Sequence, residues 1–235
     1  MSLLAIETSS HQLGVALVDQ TRVLASYEVL AERQHIVELP HAVTKVLRTA
    51  GQSLDQLEGI ALDIGPGSFT GLRIGFAFVK ALLFQIRKPL VGVASLDVLA
   101  ANVPLASQRI CPILDAKQRK VYAALYRAEA DGRLTKQSDY HLGTLEELML
   151  MLRDGPTVFL GDGVPLARER LAQQLGDRAI YLNPDLWLPK AATLGRIGLE
   201  RLRQGRQDDP RALTPMYLYP MDCTVRAPKP PPTAS

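Results

Sequence analysis

An acidic residue followed by three small hydroxylated residues stands near the start of the chain, a grouping typical of a phosphate-binding turn. The four residues are Glu7, Thr8, Ser9 and Ser10. Backbone N–H groups in such a turn donate hydrogen bonds to phosphate oxygens, and the carboxylate can hold a water bound to magnesium. Because the motif is short and stands alone, we interpret it as a candidate vestigial phosphate turn and predict no bound cofactor.

A glycine-rich segment, GPGSFTG at residues 65–71, has the composition of a phosphate loop but not its spacing. Its glycines follow GxGxxxG instead of GxGxxG, and no lysine follows Gly71 as a P-loop requires. Gly65 and Gly67 instead allow a tight turn from a strand into a helix, and Ser68 is suited to cap that helix. The segment therefore predicts a structural turn.

The other residue types that carry catalysis are not arranged for it. The histidines are His11, His35, His41 and His141, and the cysteines are Cys111 and Cys223. No histidine stands in an HExxH motif or four residues from another, no cysteines form a CxxC pair, and no GxSxG segment places a serine nucleophile. We predict neither a metal site nor a catalytic residue.

Composition excludes several classes of protein. With 47% hydrophobic and 22% charged residues, the chain of 235 residues can bury a sizeable core. Its net charge of +3 is too small to attract nucleic acid without regard to sequence. The N-terminal apolar run has no basic flank and is interrupted by Glu7, unlike a secretory signal. No charge-free run approaches the roughly 18 apolar residues that cross a membrane, so we expect a cytoplasmic protein.

The apolar pattern predicts strands and helices in an order that occurs twice. In the first half, strands at 3–6, 13–18 and 23–29 precede a helix at 36–50, a strand at 60–64, a long helix to about 86, a strand at 90–93 and a helix at 96–103. In the second half, strands begin near 110, 121 and 134, followed by a helix at 145–152, a strand at 157–160 and helices at 166–175 and 193–202. Glu7 then corresponds to Asp115, which favours a duplication; two unrelated hairpins that share an acidic residue are the alternative.

This order predicts an α/β protein of two lobes, each built from a βββαβα unit. We place the N-terminal lobe at residues 1–107, the C-terminal lobe at 108–219 and a proline-rich flexible tail at 220–235. The segment 116–120, AKQRK, follows Asp115 and is too bulky and charged to repeat the turn after Glu7. A nucleotide cleft gripped by both lobes would therefore be half formed.

The long helix is apolar around almost its whole circumference. Between residues 71 and 84 its only charged residues are Arg73 and Lys80. Such a helix must be covered on nearly every side, by the sheet of its own lobe and by a second layer. A face of small and apolar residues would let another helix approach closely: Gly71, Gly75, Phe78 and Leu82. The second layer is either a partner protein or more of the same chain.

Several motifs together resemble the bacterial TsaB (YeaZ) family. They are IETSS at 6–10, ALDIGPGSFTGLRIG at 61–75, Arg33 and His35 ahead of Leu39-Pro40, and Pro215 with Tyr217-Leu218. The resemblance implies a duplicated fold of the actin-like and sugar-kinase-like class. Ile36 and Tyr219 depart from the family pattern, which usually has a serine after the histidine and often an arginine after Tyr-Leu.

The resemblance also implies a function. The family is similar to the catalytic TsaD family, whose HxxxH metal motif falls here on Ser95 and Leu99. It implies a non-catalytic subunit that supports a TsaD-type enzyme, together with a TsaE-type ATPase. The product would be N6-threonylcarbamoyladenosine at position 37 of tRNAs that read codons starting with A, with tRNA bound indirectly through the complex and no membrane involved.

The pairing surface implied for this family lies on two helices, through which such a chain would form a homodimer when alone. With the apolar face of the long helix, it comprises His35, Leu39, Pro40, Val43, Gly71, Leu72, Gly75, Phe78, Val79 and Leu82. Two other functions stay as alternatives: an ATP-dependent small-molecule kinase or ATPase of the actin-like fold that uses Glu7, and a metallopeptidase that requires a bound divalent ion.

Overall fold

The computed structural model describes residues 2–31, 34–103, 108–129, 133–152 and 155–218; the predicted proline-rich tail lies outside them. The first half contains β1 (Ser2–Glu7), β2 (Gln12–Asp19), β3 (Val23–Leu30), α1 (His35–Thr49), β4 (Gly59–Asp63), α2 (Phe69–Ile86), β5 (Leu90–Val93) and α3 (Ser95–Ala101). The second half contains β6 (Arg109–Lys117), β7 (Lys120–Ala123), β8 (Tyr126–Ala128), β9 (Leu134–Lys136), β10 (His141–Thr144), α4 (Leu145–Met151), β11 (Thr157–Leu160), α5 (Val164–Leu175), β12 (Ala179–Tyr181) and α6 (Ala191–Arg203).

The two sheets repeat one topology. Their strand orders are β3-β2-β1-β4-β5 and β10-β7-β6-β11-β12. In each, the first three strands pair antiparallel, whereas the fourth and fifth run parallel to the first. The predicted duplicated, actin-like α/β fold is therefore confirmed.

The predicted strand near Leu134 is present, but it is not the third strand of the second unit. It is β9, which among the described strands pairs with β8, and the third strand of the repeat is β10. The β8–β9 hairpin is inserted between the second and third strands of the unit, so counting strands along the chain misnumbers them.

Each unit ends in a helix that packs against the other lobe. Leu96 and Leu99 of α3 lie in a core cluster with strands of the second sheet. Leu194 and Leu199 of α6 lie in a cluster with residues of the first sheet. The lobe boundary at residue 107 stays a prediction, but α6, which it assigns to the second lobe, covers the first sheet.

A polar network joins these exchanged helices. Asp97 on α3 accepts hydrogen bonds from the hydroxyls of Tyr126 and Tyr140, each at 2.8 Å. The Arg201 guanidinium on α6 donates to the same carboxylate at 2.8 Å and to the Gly92 carbonyl at 2.7 Å. Charge-assisted hydrogen bonds of this kind are among the stronger ones in proteins, so they help to fix the two lobes together.

Helix α2 follows the tight turn at Gly65–Gly67. The N–H of Gly71 donates to the Ser68 hydroxyl at 3.2 Å, which confirms the predicted cap. Within the described residues α2 alone has the length and mean hydropathy, 1.4 over 18 residues, of a membrane-crossing helix. A helix in a protein core can have the same composition. The inner face of α2 packs into the core of the first lobe.

Candidate functional site

An apolar groove lies between the start of α1 and the outer face of α2. It has a volume of about 420 Å³ and is lined by Ile36, Leu39, Phe69, Thr70, Arg73, Ile74, Ala77 and Phe78. Ile36 is 68% exposed and Phe69 is 55% exposed. Beyond the groove, Val37 and Phe84 also present large apolar side chains to solvent. Exposed apolar surface of this extent is typical of a site that binds a protein, a membrane or another ligand.

Aromatic contacts shape the groove at the start of α2. The ring of Phe69 lies 5.3 Å from that of Tyr217, with the planes tilted by 40°. The Arg73 guanidinium lies over the same ring, 4.5 Å from its centre, and supplies the cation that lines the groove. The groove therefore combines apolar walls with one positive charge.

The candidate phosphate turn after β1 is closed by its own hydrogen bonds. Glu7 accepts from both the N–H and the hydroxyl of Ser9, each at 2.6 Å. The same hydroxyl lies 3.3 Å from Asp63, which ends the neighbouring strand β4. Glu7, Thr8, Ser9 and Ser10 are all buried. The turn therefore differs from the open phosphate cradle that a kinase of this fold would use.

Asp63 is the residue of this cluster that the sequence analysis missed. Its other oxygen accepts from the Ser95 hydroxyl at 2.6 Å and from the Gly65 N–H at 2.8 Å. Because β1 and β4 are parallel neighbours, their final carboxylates meet at one edge of the sheet. The sequence signal that could have revealed Asp63 is that an acidic residue ends each of these two strands.

Burial dominates the electrostatics of the two carboxyls. Removal from water, and then the neighbouring Asp63, raise the pKa of Glu7 well above its usual range. Burial raises the pKa of Asp63 to about 7, although hydrogen bonds from Ser95, Gly65 and Ser9 oppose the rise. Near neutral pH the pair therefore retains a proton that a solvated carboxyl would have lost.

The equivalent turn of the second lobe has a different character. Lys117, Gln118 and Arg119 all have positive φ, between 51° and 65°. The Lys117 ammonium pairs with the carboxylate of Asp115, and the Asp115 N–H donates to Asp162 at 3.0 Å. As expected from its bulky residues, this turn does not reproduce the small-residue turn after β1.

Comparison with known proteins decides the family. The family model described as "TsaD: tRNA N6-adenosine threonylcarbamoyltransferase" matches residues 28–219. A Bacillus subtilis protein named "tRNA threonylcarbamoyladenosine biosynthesis protein TsaB" is 32% identical over 220 residues, which are 93% of this chain and 94% of that protein. The chain belongs to the TsaB family.

A transferase and a solved YeaZ structure are also similar to this chain. A Geobacter sulfurreducens "tRNA N6-adenosine threonylcarbamoyltransferase" is 32% identical over 151 residues, covering 57% of this chain and 44% of that protein. The solved structure "YeaZ from Pseudomonas aeruginosa" has a TM-score of 0.80 and 25% identity, and covers 92% of this chain and 99% of that one. The Geobacter sulfurreducens transferase is thus matched over less than half its length, whereas the Bacillus subtilis TsaB and the Pseudomonas aeruginosa YeaZ are matched almost completely.

Most residues of the predicted pairing surface are buried within the chain. Eight of the predicted interface residues are buried in the chain itself: His35, Leu39, Val43, Gly71, Leu72, Gly75, Val79 and Leu82. Pro40 is exposed and Phe78 is half-buried beside the groove. The inner face of α2 is therefore covered by its own lobe, and its outer face is the exposed one.

The glycines of α2 explain the error. A Cβ at Gly71 would overlap the carbonyl oxygen of Thr8, and one at Gly75 would overlap the Thr8 hydroxyl. The small residues thus let α2 approach the turn after β1, not a helix of a partner. If Gly75 faced a partner, a charged side chain there would be a test of pairing. In this structure such a side chain would enter the core and disrupt the fold.

The positions that correspond to the TsaD metal motif serve the fold. Ser95 begins α3 and donates to Asp63, as described above. Leu99, one turn further, is fully buried in the cluster shared with the second sheet. Both side chains thus have a packing or hydrogen-bonding role in the fold, and neither carries an imidazole.

Proposed function

We propose that this chain is a non-catalytic subunit that binds and supports a TsaD-type enzyme in the formation of N6-threonylcarbamoyladenosine in tRNA. The observation that carries the proposal is the exposed apolar groove between α1 and α2 in a chain of the TsaB family. Its relatives bear the names of a biosynthesis protein and a transferase of this same modified nucleoside.

Three features support a supporting role over a catalytic one. Ser95 and Leu99 stand where the TsaD-type motif would have histidines. The turn after β1 is buried, and its Glu7 carboxylate accepts hydrogen bonds from Ser9. The second turn carries Lys117 against Asp115. We therefore assign catalysis to the TsaD-type partner, with a TsaE-type ATPase in the same assembly and with tRNA bound through the complex.

The groove is also the surface through which we expect the chain to pair with itself when the partner is missing. Ile36, Val37, Phe69 and Phe84 offer the apolar area that such an isologous contact buries. We further expect the protein to work in the cytoplasm, where tRNA is modified.

A charged side chain on the outer face of α2 tests the proposal. Ala77 lines the groove and is exposed, so Ala77→Arg leaves the fold intact and places a bulky charge in the contact. We expect its affinity for the cognate TsaD-type protein to fall at least 30-fold, about 2 kcal/mol, as for an interface hot spot. Titration calorimetry with the purified partner measures this, and a reconstituted tRNA modification assay should lose activity in parallel.

The chain offers a matched control for this experiment. Leu166 lies near the start of α5, the equivalent helix of the second lobe, and is 55% exposed, as Phe69 is. Leu166→Arg should bind the partner as the unchanged chain does. Undiminished binding by Ala77→Arg, or an equal loss in both variants, would contradict an interface on α2.

A further inference from the structure

The C-terminal segment of the described chain runs along the first lobe toward the groove. The N–H of Asp208 donates to the Leu90 carbonyl and its carboxylate accepts from the Gly92 N–H, each at 2.8 Å. Farther on, the N–H of Met216 donates to the Ile64 carbonyl at 2.7 Å. These bonds anchor the segment to β5 and to the end of β4, so its end has a fixed place.

That place is beside the groove. Tyr217 stacks on Phe69, one of the groove's own residues, and the described chain ends at the next residue, Leu218. Residues 219–235 therefore begin next to an apolar groove that no described segment fills.

The length of this remaining chain matches the groove. From Phe69 to Phe78 helix α2 rises about 14 Å, at about 1.5 Å per residue. Five extended residues span about 16 Å, at about 3.3 Å each. The seven residues 219–225 are thus more than long enough to lie along the whole groove, and residues 226–235 are left over.

The composition of the tail suits such a position. Its first part carries apolar side chains, namely Tyr219, Pro220, Met221 and Val225, and the charge of its only acid, Asp222, is opposite to that of Arg73 in the groove. Aromatic-lined grooves bind extended proline-containing segments well, because these lose little conformational entropy on binding.

We propose that residues 219–225 lie in the groove of the same molecule and act as an autoinhibitory occupant that a partner protein must displace. The first half of this inference stands on the groove and the route of the chain alone. The second half, the competition with a TsaD-type partner, rests on the proposed function.

The tail should lower the apparent affinity for a partner by a measurable factor. A short tether gives an effective concentration of about 1 mM. If the tail binds the groove with a dissociation constant of about 0.1 mM, the groove is free in roughly one molecule in ten. The apparent affinity for any partner that needs the free groove then falls about tenfold.

Disulfide trapping tests the position of the tail in the full-length chain. The native Cys223 belongs to the segment that we propose to lie in the groove, and Ala77→Cys places a thiol on the groove wall. Oxidised glutathione should join the two within one molecule, at a rate independent of protein concentration, as peptide mapping would detect. Cys111 is buried and takes no part. The control, Gln173→Cys, lies on exposed α5 and should form this bond at least tenfold more slowly.

Two outcomes would overturn the position. Equal rates for Ala77→Cys and Gln173→Cys would mean that the tail does not visit the groove preferentially. A bond that forms only between molecules, faster at higher concentration, would assign the tail to a second copy of the chain.

A second full-length variant tests the competition separately. Replacing Tyr219, Met221 and Val225 by serine should raise the affinity for the TsaD-type protein about tenfold, whereas Pro230→Ser with Pro232→Ser should leave it unchanged. If all these proteins bind the partner equally well, the autoinhibition is wrong although the proposed function stands. If none of them binds it, the proposed function itself fails, while the disulfide experiment still judges the position of the tail.

Discussion

The turns that follow β1 and β6 occupy equivalent places in the duplicated unit, yet they hold their acids in opposite ways. Glu7 is fully buried beside Asp63 and is bonded to Ser9. Asp115 is partly exposed and pairs with Lys117, whose side chain is 71% exposed. The first turn thus contains buried carboxyls that hold a proton, and the second contains a hydrated ion pair.

What both turns share is the close approach of a helix start. Cβ atoms at Gly67 and Gly71 would overlap the carbonyl oxygens of Ser9 and Thr8. In the second lobe, a Cβ at Gly161 would overlap the Ile113 carbonyl, and one at Gly163 would lie 2.8 Å from the carbonyl carbon of Leu114. The duplicated fold therefore keeps its backbone contact in both lobes, while the polar chemistry at each turn has diverged.

Replacing one glycine by alanine at the helix start of each lobe should give the largest change in stability. Gly71→Ala places its Cβ against a backbone oxygen that is held in the β1–β2 turn. We expect a loss of about 3 kcal/mol or more in the free energy of unfolding, at the upper end for overpacking. Gly163→Ala, with the looser 2.8 Å contact, should cost about half as much. Urea denaturation at one fixed protein concentration measures both.

Gly51→Ala separates steric overlap from backbone strain. Gly51 has a φ of +64°, and a Cβ added there would meet no other atom within 4 Å, so an alanine costs only about 1 kcal/mol of left-handed strain. A cost for Gly71→Ala no larger than that for Gly51→Ala would show that the β1–β2 turn yields freely to α2.

The buried pair should make stability depend on pH. Because the folded pKa of Asp63 is raised to about 7, the folded state holds a proton that the unfolded chain releases near pH 4. This stability is complete below pH 4 and is lost as the pH rises through 7. Each proton contributes about 1.4 kcal/mol per pH unit, so raising the pH from 5.5 to 7 should cost about 2 kcal/mol.

Asp63→Asn tests this dependence, since its amide can keep the bonds to Ser95, Gly65 and Ser9 without a titrating proton. The variant should match the unchanged chain at pH 3, where Asp63 is protonated in both the folded and the unfolded state, and exceed its stability at pH 8. Asp115→Asn, which loses only an exposed ion pair, should change stability by less than about 1 kcal/mol at both values. Parallel pH profiles for the Asp63 variant and the unchanged chain would contradict a proton held by the pair.

Much of each unit could be predicted because it depends on local pattern. The apolar runs of β1 and β4 and the Ser68 cap are visible within a few residues of sequence. The third strand of the second lobe was misplaced at Leu134, because an inserted hairpin carries the same alternation as a strand of the sheet. The packing of α6 on the first sheet joins residues far apart in the chain, and no local pattern encodes that.

The groove shows the same limit at the level of side chains. The sequence established that α2 is apolar almost all round, but it could not show which face the fold itself covers. Gly71 and Gly75 signal that some backbone comes close, and this is as true of the chain's own turn at Thr8 as of a partner helix. Asp63 was missed for a related reason, because its partnership with Glu7 exists only after β1 and β4 pair.

The smallest effect should come from the second turn's backbone. Gln118 and Arg119 link β6 and β7 with positive φ at both positions, as in a type I′ turn, where Asn-Gly is preferred. Gln118→Asn with Arg119→Gly should therefore stabilise the chain by about 1 kcal/mol, as seen in urea denaturation. A loss of stability instead would mean that the two long side chains make contacts across the lobes that outweigh their strain. Both turns would then be stabilised by packing. They would differ only in their acids, which are buried and hold a proton in the first turn and form an exposed ion pair in the second.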